Sequence, residues 1–376
     1  MRTAALAFVT TLGLLAAAPT ARPCGVFVPD SETANVAIDA QRALLVLHER
    51  TVDMHLQLTA DTDGSDFAWL LPVPDEPGLA LGDQAVFDAL DDLTTPRVTA
   101  PAKDSGGGGG FCGSTALDGG AANGTTGGVQ HFGSGELGGY TWDLIGGTDA
   151  AAVTAWLTDH GYAVPSGFET VVSAYTGARW LAVKLSPSAL AVALPLEPLV
   201  VTVPRPGDSR LLFPLGVSKP SAKAVTPLVI YTLADQRYRV ANAASAELDD
   251  VGDELRARLD DGESFEYEAA VDAMTERGGG LLVVTEHAGH HDPASVPAAL
   301  AAVMGSDAQY LTRLFARVPA ASLQDLVITF AFEGGDVEST LIVDNGGPSG
   351  AMNLAWALVG LLVGVLWVRP RACASA

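Results

Sequence analysis

An α+β fold is predicted for this chain: a strand-rich extracytoplasmic domain with several short packing helices, followed by one C-terminal transmembrane helix. Three observations carry that prediction. Alternating and continuous apolar runs of strand length dominate the middle of the chain, helical periodicity is confined to a few scattered windows, and both ends carry long uncharged, mainly apolar segments of a different kind. Regular strand-helix-strand alternation is sparse, which disfavours a doubly wound sheet, and no repeat of fixed period is visible.

Met1-Arg2 precedes an apolar stretch from Ala4 to Ala18 and then the small and turn-forming Pro19-Thr20-Ala21. That order is the order of a secretory signal peptide, so residues 1–21 are read as one. Cys24 follows Ala21-Arg22-Pro23, and the charge in front of it disfavours a lipid-modified cysteine.

From Val26 to Val73 the pattern is that of half-buried strands, clearest where Val52, Met54, Leu56 and Leu58 alternate with Asp53, His55 and Gln57. Phe67-Ala68-Trp69-Leu70-Leu71-Pro72-Val73-Pro74 reads as a further strand whose prolines place it at a sheet edge or a strand end. Asp83 to Leu93 is helical, with Val86, Phe87, Leu90 and Leu93 on one face and Pro96 stopping it. Residues 105–139 are rich in Gly, Ser and Thr and read as a mobile loop, because such a stretch buries too little apolar surface to offset its ordering entropy. The glycine run lacks the Gly-Lys-Ser/Thr ending of a phosphate cradle.

Tyr140 to Ile145 restores order. A helix from Ala150 to His160 turns Val153, Trp156, Leu157 and His160 inward, and Gly161 ends it. Strands dominate from Val171 to Val240, notably Ala178–Leu185, Leu199–Val203 and Pro227–Thr232. Val251, Leu255 and Leu259 mark a polar amphipathic helix, Phe265 to Met274 another, and Leu281 to Thr285 a short buried strand. A late helix is expected from Ser306, which forms a capping box with Gln309 and would bury Tyr310, Leu311, Leu314, Phe315 and Val318. Leu326–Phe332 and Ser339–Val343 close the domain, 24–343, as strands.

Residues 344–350 are a polar spacer. Residues 351–368, AMNLAWALVGLLVGVLWV, carry no charge and are followed by Arg369-Pro370-Arg371. At about 1.5 Å rise per residue the run measures roughly 27 Å, the thickness of a bilayer core. Arginines directly after it mark the cytoplasmic side, so residues 369–376 form a short cytoplasmic tail and the bulk of the chain lies outside. The expected location is therefore the cell membrane, crossed once.

A formal charge of -23, from 44 acidic against 21 basic residues, disfavours nucleic acid and anionic lipid head groups as partners. The expected partners are the membrane, through the C-terminal helix, and an envelope protein or ligand. Of three cysteines, Cys24 and Cys112 would share the oxidising exterior and Cys373 would not. A Cys24–Cys112 disulfide would stabilise the fold by roughly 4 to 5 kcal/mol in the chain-entropy model, two unpaired thiols being the alternative.

The sequence resembles a bacterial family known as domain of unknown function 2330. The resemblance rests on Cys24-Gly25-Val26-Phe27, the Phe67–Pro74 stretch with Asp66 before it, Val86–Leu90 followed by Thr95-Pro96-Arg97-Val98, Trp156-Leu157-Thr158-Asp159-His160-Gly161-Tyr162 with Pro165, Pro214-Leu215-Gly216, and Tyr310–Leu314. It implies an exported or membrane-anchored protein of one extended domain and brings no established activity with it. The glycine-rich segment departs from the family pattern.

The sharpest candidate for chemistry is Glu286-His287-Ala288-Gly289-His290-His291-Asp292, which holds three of the seven histidines. In a loop, His287, His290 or His291, and Asp292 could converge on zinc or another transition metal. A solvated histidine-rich turn is the alternative. No catalytic residue is assigned: Gly207-Asp208-Ser209 lacks the surroundings of a nucleophilic serine, Cys112 has no identifiable activating base, and Asp91-Asp92, Asp249-Asp250 and Asp260-Asp261 read as solvated helix faces. Trp69, Trp142, Trp156 and Trp180 read as core. The function expected is a non-enzymatic binding or envelope-associated domain, with a metal-binding module or metal-dependent hydrolase built on Glu286–Asp292 as the alternative.

Overall fold

The structure is a computed structural model that describes residues 25–34, 36–62, 66–74, 76–100, 129–146, 150–175, 177–185, 198–208, 210–305 and 309–343. In chain order, strands β1 (Val26–Pro29), β2 (Val36–Leu47), β3 (Thr51–Thr62), β4 (Phe67–Val73) and β5 (Gly78–Leu81) lead to helix α1 (Gln84–Thr94) and β6 (Arg97–Thr99). The hairpin β7 (Gln130–Leu137) and β8 (Tyr140–Gly146) precedes α2 (Ala150–Asp159), α3 (Phe168–Val172), β9 (Arg179–Leu185), β10 (Leu199–Pro204) and β11 (Leu211–Phe213). After a 3-10 segment at Leu215–Ser221 come β12 (Val225–Ala234), β13 (Tyr238–Val240), β14 (Ala244–Glu247), α4 (Leu248–Asp260), α5 (Tyr267–Arg277) and β15 (Leu282–His290). The last elements are α6 (Ala298–Val303), β16 (Tyr310–Pro319), β17 (Leu326–Phe330) and β18 (Thr340–Ile342).

The frame is an eight-stranded sheet in the order β14-β15-β16-β12-β2-β3-β10-β5, in which only β14/β15 and β12/β2 run parallel. One face packs on a five-stranded antiparallel sheet, β1-β4-β9-β8-β7, and on the three-stranded β11-β17-β13. This is the main core, where Leu45, Met54, Val201, Ile230 and Leu314 meet Leu70, Leu181, Ile145, Phe213 and Ile328. Helices cover the other face as two separate patches. One holds Val86, Phe87 and Leu90 of α1 and Leu300 of α6 against Leu44, Val46, Tyr231 and Leu311. The other holds Val251, Leu255, Ala270 and Val271 of α4 and α5 against Val284 and Phe315. Adjacent residues of one strand therefore enter different cores, which is why Ala43 to Leu47 reads as a continuous apolar run.

The strand-rich α+β class is what the structure has, and α1, α2, α4 and α5 lie where helical periodicity placed them. Four readings need correction. Tyr310–Pro319 is strand, pairing along all ten residues with β12 and on its other edge with β15. A central strand buried on both faces has apolar neighbours at i and i+1, and Tyr310, Leu311, Leu314, Phe315 and Val318 then imitate a helical stripe. β15 likewise runs past Thr285 to His290, so most of the histidine-rich segment is strand rather than loop.

β4 is an inner strand, between β1 and β9, so of the two places its prolines allow it is the strand end that holds. Its Pro72 is tolerated because the pairing with β1 ends at Leu70, leaving no neighbour to need the missing N–H. Residues 130–137, read as part of a mobile loop, are a strand whose glycines face an indole. A Cβ on Gly135 would stand 3.1 Å from Trp142 Nε1, so absence of a side chain lets the ring lie across the neighbouring strand. Strand dominance also begins later than Val171, which belongs to α3, itself entered through Gly167 at φ 82°.

Among the described residues no helix is long and apolar enough to cross a membrane. The segments read as signal peptide, spacer, transmembrane helix and tail, together with Cys24, Cys112 and Cys373, lie outside the described residues, as does Ser306.

Candidate functional site

The two helix patches share Val229 at their border, and a line of charged and hydroxyl side chains occupies the seam between them. Arg42 enters from β2, Asp91 from α1, Tyr231 from β12, Arg313 from β16, Glu286 from β15 and Tyr267 from α5. The strand residues lie on the helix side of the sheet by simple alternation, except Glu286. Pairing of β15 with β16 shifts register between Thr285, opposite Leu314, and His287, opposite Arg313. Glu286 is the extra residue of this bulge, so Glu286 and His287, consecutive in sequence, both face the helix side beside Arg313.

Arg313 organises the seam. Its Nε donates to Glu286 Oε2 at 2.6 Å, and its Nη1 donates to Asp91 Oδ1 at 3.0 Å and Tyr231 OH at 2.5 Å, with a longer contact to Thr95 Oγ1 at 3.4 Å. Tyr231 OH donates to Asp91 Oδ1 at 2.6 Å, and Arg42 Nη2 pairs with Asp91 Oδ2. Tyr267 OH donates to Glu286 Oε1 at 2.7 Å. Both Glu286 oxygens are thus satisfied although only 2 % of the residue is exposed.

Burial pushes the Glu286 carboxyl above the usual range, against the pull of the Arg313 charge and the hydrogen bonds from Tyr267 and Arg313. Burial pushes Asp91 up as well, but the Tyr231 hydroxyl, Arg42 and Arg313 outweigh it and hold Asp91 below the usual range. Desolvation raises both phenols, aided at Tyr267 by the charge and hydrogen bond of Glu286. Tyr231 and Tyr267 are therefore fixed donors.

The seam opens into a cleft of about 440 Å³, within the range of roughly 300–1,000 Å³ usual for small-molecule sites. Its floor includes Glu286 and Arg313. Phe265, Tyr267 and Phe315 form aromatic wall, Pro96, Val98 and Leu255 aliphatic wall, and Thr95 and Glu268 add polar groups. Glu268 is paired with Arg317, which also bonds Asp272 at 2.7 Å. Arg313 Nη2 has no hydrogen-bond partner among the described residues, so one arm of an otherwise committed guanidinium is available to an occupant of the cleft. The lining contains no serine, cysteine or histidine. Such an arrangement can bind and orient an occupant.

The metal candidates separate. His287 and His291 come together, Nε2 to Nε2 at 2.9 Å. His290, one strand residue from the turn, packs its ring edge-on to Tyr310 with centroids 4.8 Å apart. Asp292 is exposed and closes a turn, its Oδ1 accepting from Ala294 N at 2.8 Å. Among the described residues no three His, Cys, Asp or Glu side chains converge in a way that could hold a metal ion. His287 is buried with Nδ1 unpartnered among the described residues, and burial, followed by the neighbouring His291, lowers its pKa to about 4.

Asp91 was read with Asp92 as solvated face, whereas Asp92 is exposed and Asp91 is the half-buried centre of the seam. The missed signal is position: Asp91 follows the buried Phe87 by four residues, on the same helix face. Arg42, Glu286 and Arg313 share another, being charges set directly against or inside apolar strand runs, where they are rare unless paired.

No curated protein and no solved structure matches the chain. A family model described as "Uncharacterized protein conserved in bacteria" matches residues 18–330, a span that includes every residue of the seam and the cleft. The chain belongs to that family of uncharacterized proteins conserved in bacteria, DUF2330.

Proposed function

We propose that this is an exported protein, anchored in the cell membrane by residues 351–368, whose described domain is a non-enzymatic binding body that takes a small ligand in the cleft between the two helix patches. The observation that carries the binding reading is the cleft itself: an aromatic wall, a buried floor in which both Glu286 oxygens are satisfied, and Arg313 Nη2 without a hydrogen-bond partner among the described residues. The anchor rests on the uncharged 18-residue run before Arg369 and Arg371. A metal-binding module is the second reading, favoured only by the His287–His291 pair.

One experiment addresses all three. Thermal unfolding is followed for the full chain and for a chain ending at Val343, across a panel of small neutral, anionic and cationic compounds and zinc. A compound that binds the folded state raises the midpoint in both chains, and Thr95→Trp, which fills the mouth of the cleft, removes the shift. Only the full chain sediments with membranes. Absence of any compound shift, or a shift that survives Thr95→Trp, contradicts the cleft reading; a truncated chain that still sediments contradicts the anchor. A zinc shift lost in His287→Ala/His291→Ala would establish the second reading instead.

A further inference from the structure

We propose that the occupant of the cleft is a neutral saccharide, an inference that rests on the binding reading above and names the ligand class. The charges decide first. The Arg313 guanidinium is already balanced by Glu286 at 2.6 Å and Asp91 at 3.0 Å, and Asp91 is shared with Arg42. An anionic ligand would find no uncompensated cation, and it would meet Glu286 on the floor and Glu268 at the side. A cationic ligand fares little better, because both Glu286 oxygens are occupied and Glu268 is held by Arg317. Desolvating a charged group against a balanced floor costs more than it returns.

The shape of the polarity decides next. A wholly apolar ligand would bury Arg313 Nη2 and Glu268 Oε1, the oxygen that Arg317 does not hold, without partners among the described residues. A ligand with an apolar face and a hydroxylated edge avoids that penalty. Its C–H face lies on the aromatic wall, where Tyr267 and Phe315 stand 6.1 Å apart at 38°. Its hydroxyls accept from Arg313 Nη2 and donate to Glu268. A sugar ring has this division built into it, and donors and acceptors on one edge match a floor that offers both.

The test is calorimetric titration of the full chain with glucose, N-acetylglucosamine, maltose and cellobiose, beside acetate, benzylamine and hexanol as anionic, cationic and apolar probes. Phe265→Ala and Glu268→Gln are the variants, since Phe265 is only partly buried and Glu268 is exposed, and circular dichroism checks that both fold. Saturable binding of at least one sugar, weakened about tenfold in each variant, is the expected result. Sugar binding indifferent to both variants overturns the proposal. Binding of a charged or apolar probe alone, sensitive to the same variants, overturns the saccharide class and leaves the cleft reading standing. Binding of none of the probes overturns both.

Discussion

His287 shows how one residue ties burial to behaviour in solution. It is 7 % exposed, stands in the bulge beside Arg313, and shares a hydrogen bond with His291. Its folded pKa of about 4 lies below the ordinary 6.5, so between those values the unfolded chain binds more protons than the folded one. Stability therefore rises with pH through that window and is lost as pH falls, at up to about 1.4 kcal/mol per pH unit for a fully shifted group. His291, lowered mainly by burial, acts in the same direction. Glu286 has the opposite sign: its raised carboxyl makes the folded state the better proton binder, so its contribution declines as pH rises. Urea unfolding with chelator present, at pH 7 and pH 4.5, should show a smaller acid loss in His287→Gln than in the parent; equal losses would mean that the imidazole is not buried in its neutral form.

Between elements, the Arg313–Glu286 pair fills the seam between the helix patches, and it joins β15 and β16 to α1 and α5 through Asp91 and Tyr267. A buried ion pair is weak evidence for net stability, but removing one partner strands the other. Arg313→Met should cost about 3–5 kcal/mol in urea unfolding, and Arg313→Met/Glu286→Leu should cost less, since no uncompensated charge remains at the bulge. A double variant as unstable as the sum of the single ones would show that the two groups act independently. The seam was hard to see in advance because it is assembled from six elements, and no local window contains two of its charged members. Local periodicity makes legible α1 from Asp83, α2 ending at Gly161, and the strands between Val26 and Val73. Where the period was ambiguous, as in Tyr310–Pro319, pairing with β12 decided the outcome, and pairing partners far apart in sequence leave no trace in a short window.

At the scale of the molecule, the eight-stranded sheet separates two kinds of environment. Its covered face, against the five- and three-stranded sheets, is mainly apolar, with the buried Thr226, Thr232 and Thr312 set among the aliphatic side chains. Its helix face is divided, and the division is what makes a cleft possible. The same division bears on the histidine-rich segment. Composition placed chemistry near Glu286–Asp292, and the structure does put a buried carboxylate and a bulge there, yet the group that matters for the cleft is Glu286, paired with a distant arginine, while His290 and Asp292 turn elsewhere. The cleft beside Arg313 is the proposed ligand site, and crystals of the protein soaked with neutral hydroxylated and aromatic fragments put it to the test: fragments should stack on Phe265 or Phe315 with a polar atom on Arg313 Nη2, whereas fragments gathered on other surfaces with the cleft left to solvent would rule the site out.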